Sequence, residues 1–142
     1  MIRVTLDTPE CMPYKEHRWD AGFDLRSNNE DFIISPNEKV KVYTGVKIQI
    51  PVRHMGLILP RSGLGSKYEI GLANTAGVID SEYRGEIIVN LVNRGGEDLE
   101  IKKYDRFCQL ILVPVYITEL RAVSTLEGTN RNARGFGSSG VE

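Results

Sequence analysis

Residues 77–85 read GVIDSEYRG and set an acid (Asp80), a phenol ring (Tyr83) and a cation (Arg84) in one short segment bounded by glycines. Strand-like apolar runs flank it, Ile70 to Ala73 upstream and Ile87 to Val92 downstream. A hairpin turn needs none of those side chains, and loops held by rigid strands are where chemistry usually sits. Four other segments also mix glycine with charge. Ala21 to Leu25 (AGFDL) places Asp24 between two apolar residues. Pro60 to Ser66 (PRSGLGS) offers Arg61, the hydroxyls of Ser62 and Ser66, and amides freed by Gly63 and Gly65 at the start of a short helix. Helix starts and glycine turns bind phosphate through backbone N–H groups, so this segment suits an anion cradle. Asp105 to Gln109 (DRFCQ) opens an apolar strand with Gln109 placed to hydrogen-bond outward. The last is the C-terminal stretch, where Phe136 stands between Gly135 and Gly137 with Arg131 and Arg134 just before it.

Each segment also has a purely structural reading. Asp24 could bond a turn backbone, Ser62 could cap the helix, and Asp80 could close an Asx turn. Tyr83 could be a packed core ring, Gln109 an exposed strand residue, Arg106 a solvated surface charge and Phe136 an anchor for its own tail. Singly, none of the five separates structure from function.

The elements that must position them read as strands. Val40 to Ile50 (VKVYTGVKIQI) alternates apolar and polar residues about a central Gly45, the spacing of half-buried strands with a turn or bulge between them. Short apolar runs recur at Arg3 to Leu6, Phe32 to Ile34, Gly56 to Leu59, Leu99 to Ile101 and Cys108 to Val115. Turn signals such as Ser35-Pro36-Asn37, Ile50-Pro51 and Arg94-Gly95-Gly96 separate them. No long stretch has a 3.6-residue apolar period, and the one helical piece falls near Ser62 to Tyr68. The pattern predicts an all-β fold, a distorted jelly-roll barrel or sandwich with one short helix. After Leu120 the apolar runs cease and the chain turns to Gly, Ser, Asn and Arg. The expected organisation is one domain over residues 1–126 and a flexible C-terminal arm over 127–142.

Composition narrows the function classes. A formal net charge of −1 advertises no broad basic face for nucleic acid, so any anion site must be local. No run approaches the ~20 apolar residues of a membrane helix. The start, MIRVTLDTPE, has no basic region followed by an apolar one, which predicts a protein that is not secreted. The expected location is the cytoplasm, or the host cytoplasm or nucleus for a viral source. Cys11 and Cys108 are far apart and outside any CxxC pair, which predicts reduced thiols, with Cys108 packed in an apolar run. His17 and His54 stand alone, against a His/Cys metal site.

Taken in order, the five segments resemble the five motifs of the trimeric dUTPase family (deoxyuridine 5′-triphosphate nucleotidohydrolase). The matches are AGFDL (21–25), PRSGLG (60–65), ANTAGVIDSEYRGEI (73–87), DRFCQLIL (105–112) and RGFGSSG (134–140). The resemblance implies a jelly-roll subunit in a homotrimer whose sites lie between subunits, each covered by a neighbour's tail. It implies hydrolysis of dUTP to dUMP and pyrophosphate with Mg²⁺.

Roles follow by the same resemblance. Asp80 is the expected base for the water that attacks the α-phosphorus. A carboxylate is a weak base at neutral pH and general-base help is worth roughly 10²–10⁴-fold. Most of the acceleration must then come from positioning and charge neutralisation. Asp24 would hold Mg²⁺ through water. Arg61, Ser62, Gly63 and Ser66 would bind phosphates, and Gln109 would orient phosphate or water. Asn74, with Gly77 and Ile79 of the hairpin, would meet uracil; Tyr83 would pack under the deoxyribose; Phe136, beside Gly137, would stack over the base. The tail reads RNARGFGSSG where the family form is similar to RGxGGFGSTG, so Arg131 and Arg134 are rival partners for the γ-phosphate. Two alternatives stay open: a dCTP deaminase-like enzyme of the same fold, which would need a glutamate base, and a non-catalytic nucleotide-binding regulatory module.

Overall fold

The computed structural model describes residues 1–130, 132 and 133. Among them are eleven strands and one α-helix. The strands are β1 (Arg3–Leu6), β2 (Gly22–Arg26), β3 (Phe32–Ile34), β4 (Lys39–Tyr43), β5 (Val46–Gln49), β6 (His54–Pro60), β7 (Ile70–Leu72), β8 (Gly77–Ile79), β9 (Ile88–Asn93), β10 (Leu99–Ile101) and β11 (Arg106–Pro114). The helix α1 (Ser62–Tyr68) lies where the sequence placed it. Every ladder is antiparallel. One sheet runs β2-β11-β6-β8 and another β4-β9-β7, with the two-stranded pairs β1-β5 and β10-β3 beside them. They form a distorted jelly-roll sandwich without a closed barrel.

Alternation explains the layering. Along β5 (VKIQ), Val46 and Ile48 are buried and Lys47 and Gln49 exposed, because successive strand residues point to opposite faces. Leu25, Ile58, Leu72, Leu91, Phe107 and Leu110 pack into one core from both main sheets. Fully burying each such side chain stabilises by roughly 1.5–3 kcal/mol. Between β4 and β5 the chain turns at Gly45 (φ +65°), as the alternating run required. Cys11 and Cys108 are buried free thiols. No helix among the described residues is long and apolar enough to cross a membrane.

The segment 77–85 differs from the hairpin turn expected. β7 and β9 do pair, with Leu72 opposite Leu91, but the chain between them leaves their sheet. Gly77–Ile79 becomes β8 and pairs with β6 in the other sheet, with Gly56 opposite Ile79. Only 80–87 forms the return. A two-sheet fold permits this excursion because β6 has a free edge there, information that lies far away in the sequence.

Candidate active site

Asp24 is the centre of the most connected polar cluster among the described residues. Its Oδ2 forms an ion pair with Arg61 Nε at 3.1 Å and accepts a hydrogen bond from Arg106 Nη1 at 3.2 Å. The carboxylate is 21% exposed and each arginine 32%, so the three are partly screened from water. Arg61 Nη1 also donates to the Arg106 carbonyl at 3.2 Å, tying the start of α1 to β11. Gln109 sits opposite Asp24 in the β2–β11 register and donates from Nε2 to the Pro60 carbonyl at 3.1 Å. Asp24, Arg61, Arg106 and Gln109 all line one cavity of about 500 Å³.

A bulge in β11 makes this grouping possible. Arg106 pairs with Arg26 and Cys108 with Leu25, so two steps on β11 match one on β2. Phe107 is the extra residue, and both it and Cys108 are buried. Without the bulge, residues 106 and 109 would point to opposite faces, because strand side chains alternate. With it, both reach the Asp24 cavity, the kind of re-aiming for which bulges are used near functional sites. Gly22 completes the fit: a Cβ there would lie 2.7 Å from Gln109 Oε1.

The segment before Ala21 contributes as well. Tyr14 bridges Asp24 through two backbone hydrogen bonds, 2.9 and 2.7 Å. Its hydroxyl donates to Glu16 at 2.8 Å, and that bond holds the phenol above its ordinary pKa. Glu16 in turn lies 3.9 Å from Arg106, whose guanidinium stacks on the Tyr14 ring at 5.0 Å. The cavity walls therefore alternate cations and carboxylates. Each guanidinium keeps N–H donors beyond those given to Asp24, available to an anionic ligand.

Asp80 and Tyr83 line a second, smaller cavity of about 180 Å³, together with Ile79 and Glu86. Asp80 is exposed, and its carboxylate makes no hydrogen bond or ion pair among the described residues. Only its backbone is engaged, the carbonyl accepting from Tyr83 N at 3.1 Å, so the expected structural alternative of an Asx turn is not found. Tyr83 is 44% exposed rather than packed in the core, and its Oη donates to the Glu86 carbonyl at 2.9 Å. Arg84 Nη1 staples the turn by donating to the carbonyls of Ser81 and Tyr83. Glu86 Oε1 accepts from Gly45 N at 2.7 Å, which ties the turn to the β4–β5 connection. Asn74 is exposed in the turn after β7, with its carbonyl accepting from Ala76 N. Gly77 lies close against Ile58 of β6.

Ser62 does not cap α1, another of the structural alternatives. Arg61 is the N-cap and Ser62 the first helical residue. Ser62, Gly63 and Ser66 are exposed on the helix. The structure therefore brings Asp24, Arg61 and Gln109 together and holds Asp80, Tyr83 and Ile79 apart from them, around another cavity of the same chain. Arg131, Arg134, Phe136 and Gly137 lie outside the described residues. Arg106, Tyr14 and Glu16 are the members that sequence reasoning missed. Arg106 looked like a surface charge because its partner is 82 residues away. Nothing in the order of residues 12–20 signals their approach to Asp24.

The donor set also bears on a metal. Asp24 Oδ2 is taken by the two guanidiniums, while Oδ1 has no hydrogen bond among the described residues. No group of three or more His, Cys, Asp or Glu side chains suited to a metal ion gathers among the described residues. One free carboxylate oxygen beside a cavity lined by two guanidiniums fits a Mg²⁺ that keeps most of its waters, and does not fit a caged structural metal.

Comparison with known proteins places these features in a group. The family model described as dUTPase matches residues 9–140. The deoxyuridine 5′-triphosphate nucleotidohydrolase of Escherichia phage T5 is 42% identical, covering 99% of both chains. The protein of the same name from Desulfitobacterium hafniense is 44% identical over 85% of this chain and 82% of its own. Among solved structures, the Staphylococcus bacteriophage 80alpha dUTPase with dUPNHPP superposes with a TM-score of 0.90 at 30% identity, covering 99% of both chains. A mutant of the dUTPase from phage phi11 of S. aureus, whose structure reveals details for the coordination of a structural Mg(II) ion, matches with a TM-score of 0.81 at 27% identity, over 90% of this chain and 99% of its own.

Proposed function

Because the chain belongs to the dUTPase family, we propose that it hydrolyses dUTP to dUMP and pyrophosphate at a site built from the Asp24 cluster and the Asp80 turn. The observation that carries the reading is the bulge-aligned group of Asp24, Arg61, Arg106 and Gln109 on one cavity. It supplies the concentrated donors that a triphosphate needs on a chain of nearly neutral net charge.

In this reading Arg61, with Ser62, Gly63 and Ser66 at the start of α1, holds the phosphates. Gln109, its amide oriented by the Pro60 carbonyl, aligns a phosphate oxygen or the attacking water. Asp80 takes a proton from that water as its oxygen bonds to the α-phosphorus and the bond to the β-phosphate oxygen breaks. Pyrophosphate leaves with the electron pair. Asp80 suits the task because its carboxylate has no competing partner among the described residues. Asp24 Oδ1 would hold a water of Mg²⁺, which, when bound, supplies charge neutralisation along the triphosphate.

Asn74 and the backbone of Gly77 and Ile79 face uracil, and Tyr83 packs under the deoxyribose. Cytosine reverses donor and acceptor at the corresponding edge and would leave polar groups unpaired. Phe136 stacks over the base, worth about 1–3 kcal/mol by analogy with other base–aromatic stacking. Arg131 or Arg134 meets the γ-phosphate, as part of an arm over 127–142 attached to a domain over 1–126. Asp80 and Asp24 line different cavities of one chain, which supports a homotrimer whose sites each combine groups from neighbouring subunits.

The test is pyrophosphate release from dUTP, dCTP, dTTP and UTP, with Asp80→Asn alongside. Release from dUTP alone, reduced about 10²–10⁴-fold in the variant, is expected. Comparable turnover of dCTP, or full activity in Asp80→Asn, refutes the reading.

A further inference from the structure

A left-handed backbone is not the reason for glycine at position 85. Its φ lies outside the left-handed region, unlike that of Gly45, so no positive φ requires glycine there. The cause is a side chain. A Cβ on Gly85 would lie 2.3 Å from Tyr83 Oη, 2.5 Å from Cζ and 2.9 Å from Cε2. Three atoms of one rigid ring are involved, so no small rotamer adjustment clears them. The ring fills the space where a side chain on residue 85 would begin, and its hydroxyl is tied to the next carbonyl, that of Glu86, at 2.9 Å.

The backbone around this seat is heavily fixed. Tyr83 N donates to the Asp80 carbonyl, Arg84 Nη1 to those of Ser81 and Tyr83, and Gly45 N to the Glu86 carboxylate. The Tyr83 ring, by contrast, is half open to solvent. A Cβ at position 85 would therefore move the ring rather than the turn, breaking the bond to the Glu86 carbonyl. The displaced ring would reshape the cavity it shares with Asp80.

We infer that Gly85 is a specificity-determining residue, acting through Tyr83 to set the depth of the sugar pocket and so the choice of 2′-deoxyribose over ribose. The inference rests on the proposed role of Tyr83 against the sugar. Gly85 touches no substrate; it is a positioning residue. The pocket floor is a ring held at fixed depth by contact below and a hydrogen bond at its tip, so exclusion of a 2′-hydroxyl depends on both.

The experiment measures kcat/KM for dUTP and UTP on the full-length protein and on Gly85→Ala, Tyr83→Ala, Tyr83→Phe and the Gly85→Ala/Tyr83→Ala pair. Gly85→Ala is expected to lower the dUTP/UTP preference about tenfold, the order of one methylene's discrimination in a pocket. Tyr83→Phe adds no atom and so cannot overpack; losing only the hydrogen bond, it should lower the preference about fivefold. In the Tyr83→Ala background, Gly85→Ala should change nothing further, because no ring remains to displace. Wild-type preference in Gly85→Ala, or the same loss in both backgrounds, overturns the inference while leaving Tyr83 in its role. Unchanged preference in Tyr83→Ala instead overturns the role of Tyr83 itself, and the inference with it.

Discussion

Replacing Asp24 by Asn keeps the side chain's size and removes the charge that two guanidiniums share. The ion pairs with Arg61 Nε and Arg106 Nη1, 3.1 and 3.2 Å, fall on one oxygen. At such separations the gross attraction is about 5 kcal/mol per pair for an effective dielectric constant near 20. Desolvation and screening offset most of it. Exposed pairs retain about 0.2–1 kcal/mol and charge-assisted hydrogen bonds about 1.5–3. These groups are between one fifth and one third exposed, so about 1 kcal/mol for each contact, or about 2 in total, is the expected loss. A chain of 142 residues unfolds with an entropy near 0.3 kcal/mol/K, so Tm should fall by about 7 °C. The assay is thermal unfolding followed by circular dichroism at fixed protomer concentration, since any assembly couples Tm to concentration. Because the pairs are partly exposed, 1 M NaCl should narrow the gap between wild type and variant. Arg106→Gln supplies the control: with Asp24 already neutral, removing Arg106 should cost less than it does in the wild type, a coupling of about 1 kcal/mol. A variant melting within a degree of wild type, or a double mutant whose losses simply add, would refute the claim that this carboxylate organises the cluster.

Other measurements test the C-terminal arm, the metal and the buried thiol. Deleting the residues after Leu126 is expected to cripple turnover while leaving a trimer by light scattering; a truncated protein as active as the full chain would remove the arm from the mechanism. Chelation by EDTA should abolish pyrophosphate release and added Mg²⁺ restore it, with Asp24→Asn needing a higher Mg²⁺ concentration; metal-independent turnover would exclude the role given to Asp24 Oδ1. Burial, with the nearby Asp24 charge second, raises the Cys108 thiol far above its ordinary 9.0. The folded state therefore keeps a proton that the unfolded state loses, so stability should fall as pH rises above about 9, by up to about 1.4 kcal/mol per pH unit. Urea unfolding from pH 8 to 11 on wild type and Cys108→Ala checks this, and equal pH slopes for the two would refute it.

Much of the framework was legible along the chain because the signals are local. The strands Arg3–Leu6, Phe32–Ile34 and Leu99–Ile101 stand where apolar alternation put them, and α1 spans the stretch chosen after Pro60. Gly45 marks a turn because its neighbours alternate on both sides. Asp24, Arg61 and Gln109 were selected from residue type and motif order, and the structure gathers them on one cavity. β8 was missed, since three residues inside a polar loop carry no periodicity, and their pairing depends on the free edge of β6. Arg106 was passed over for a similar reason: a lone arginine at a strand start looks solvated until its carboxylate is known.

By itself, then, the order of residues determined the all-β class, the chemical inventory and the family, all of which depend on type and spacing over short windows. Tertiary structure decided how the inventory is aimed. A single extra residue at Phe107 reverses the phase of β11, so Arg106 and Gln109 face Asp24 together. The excursion of β8 into the second sheet carries Asp80 to a cavity away from that cluster. Both depend on which strands become neighbours, and strand pairing is settled by the packing of the whole core, which no short window contains.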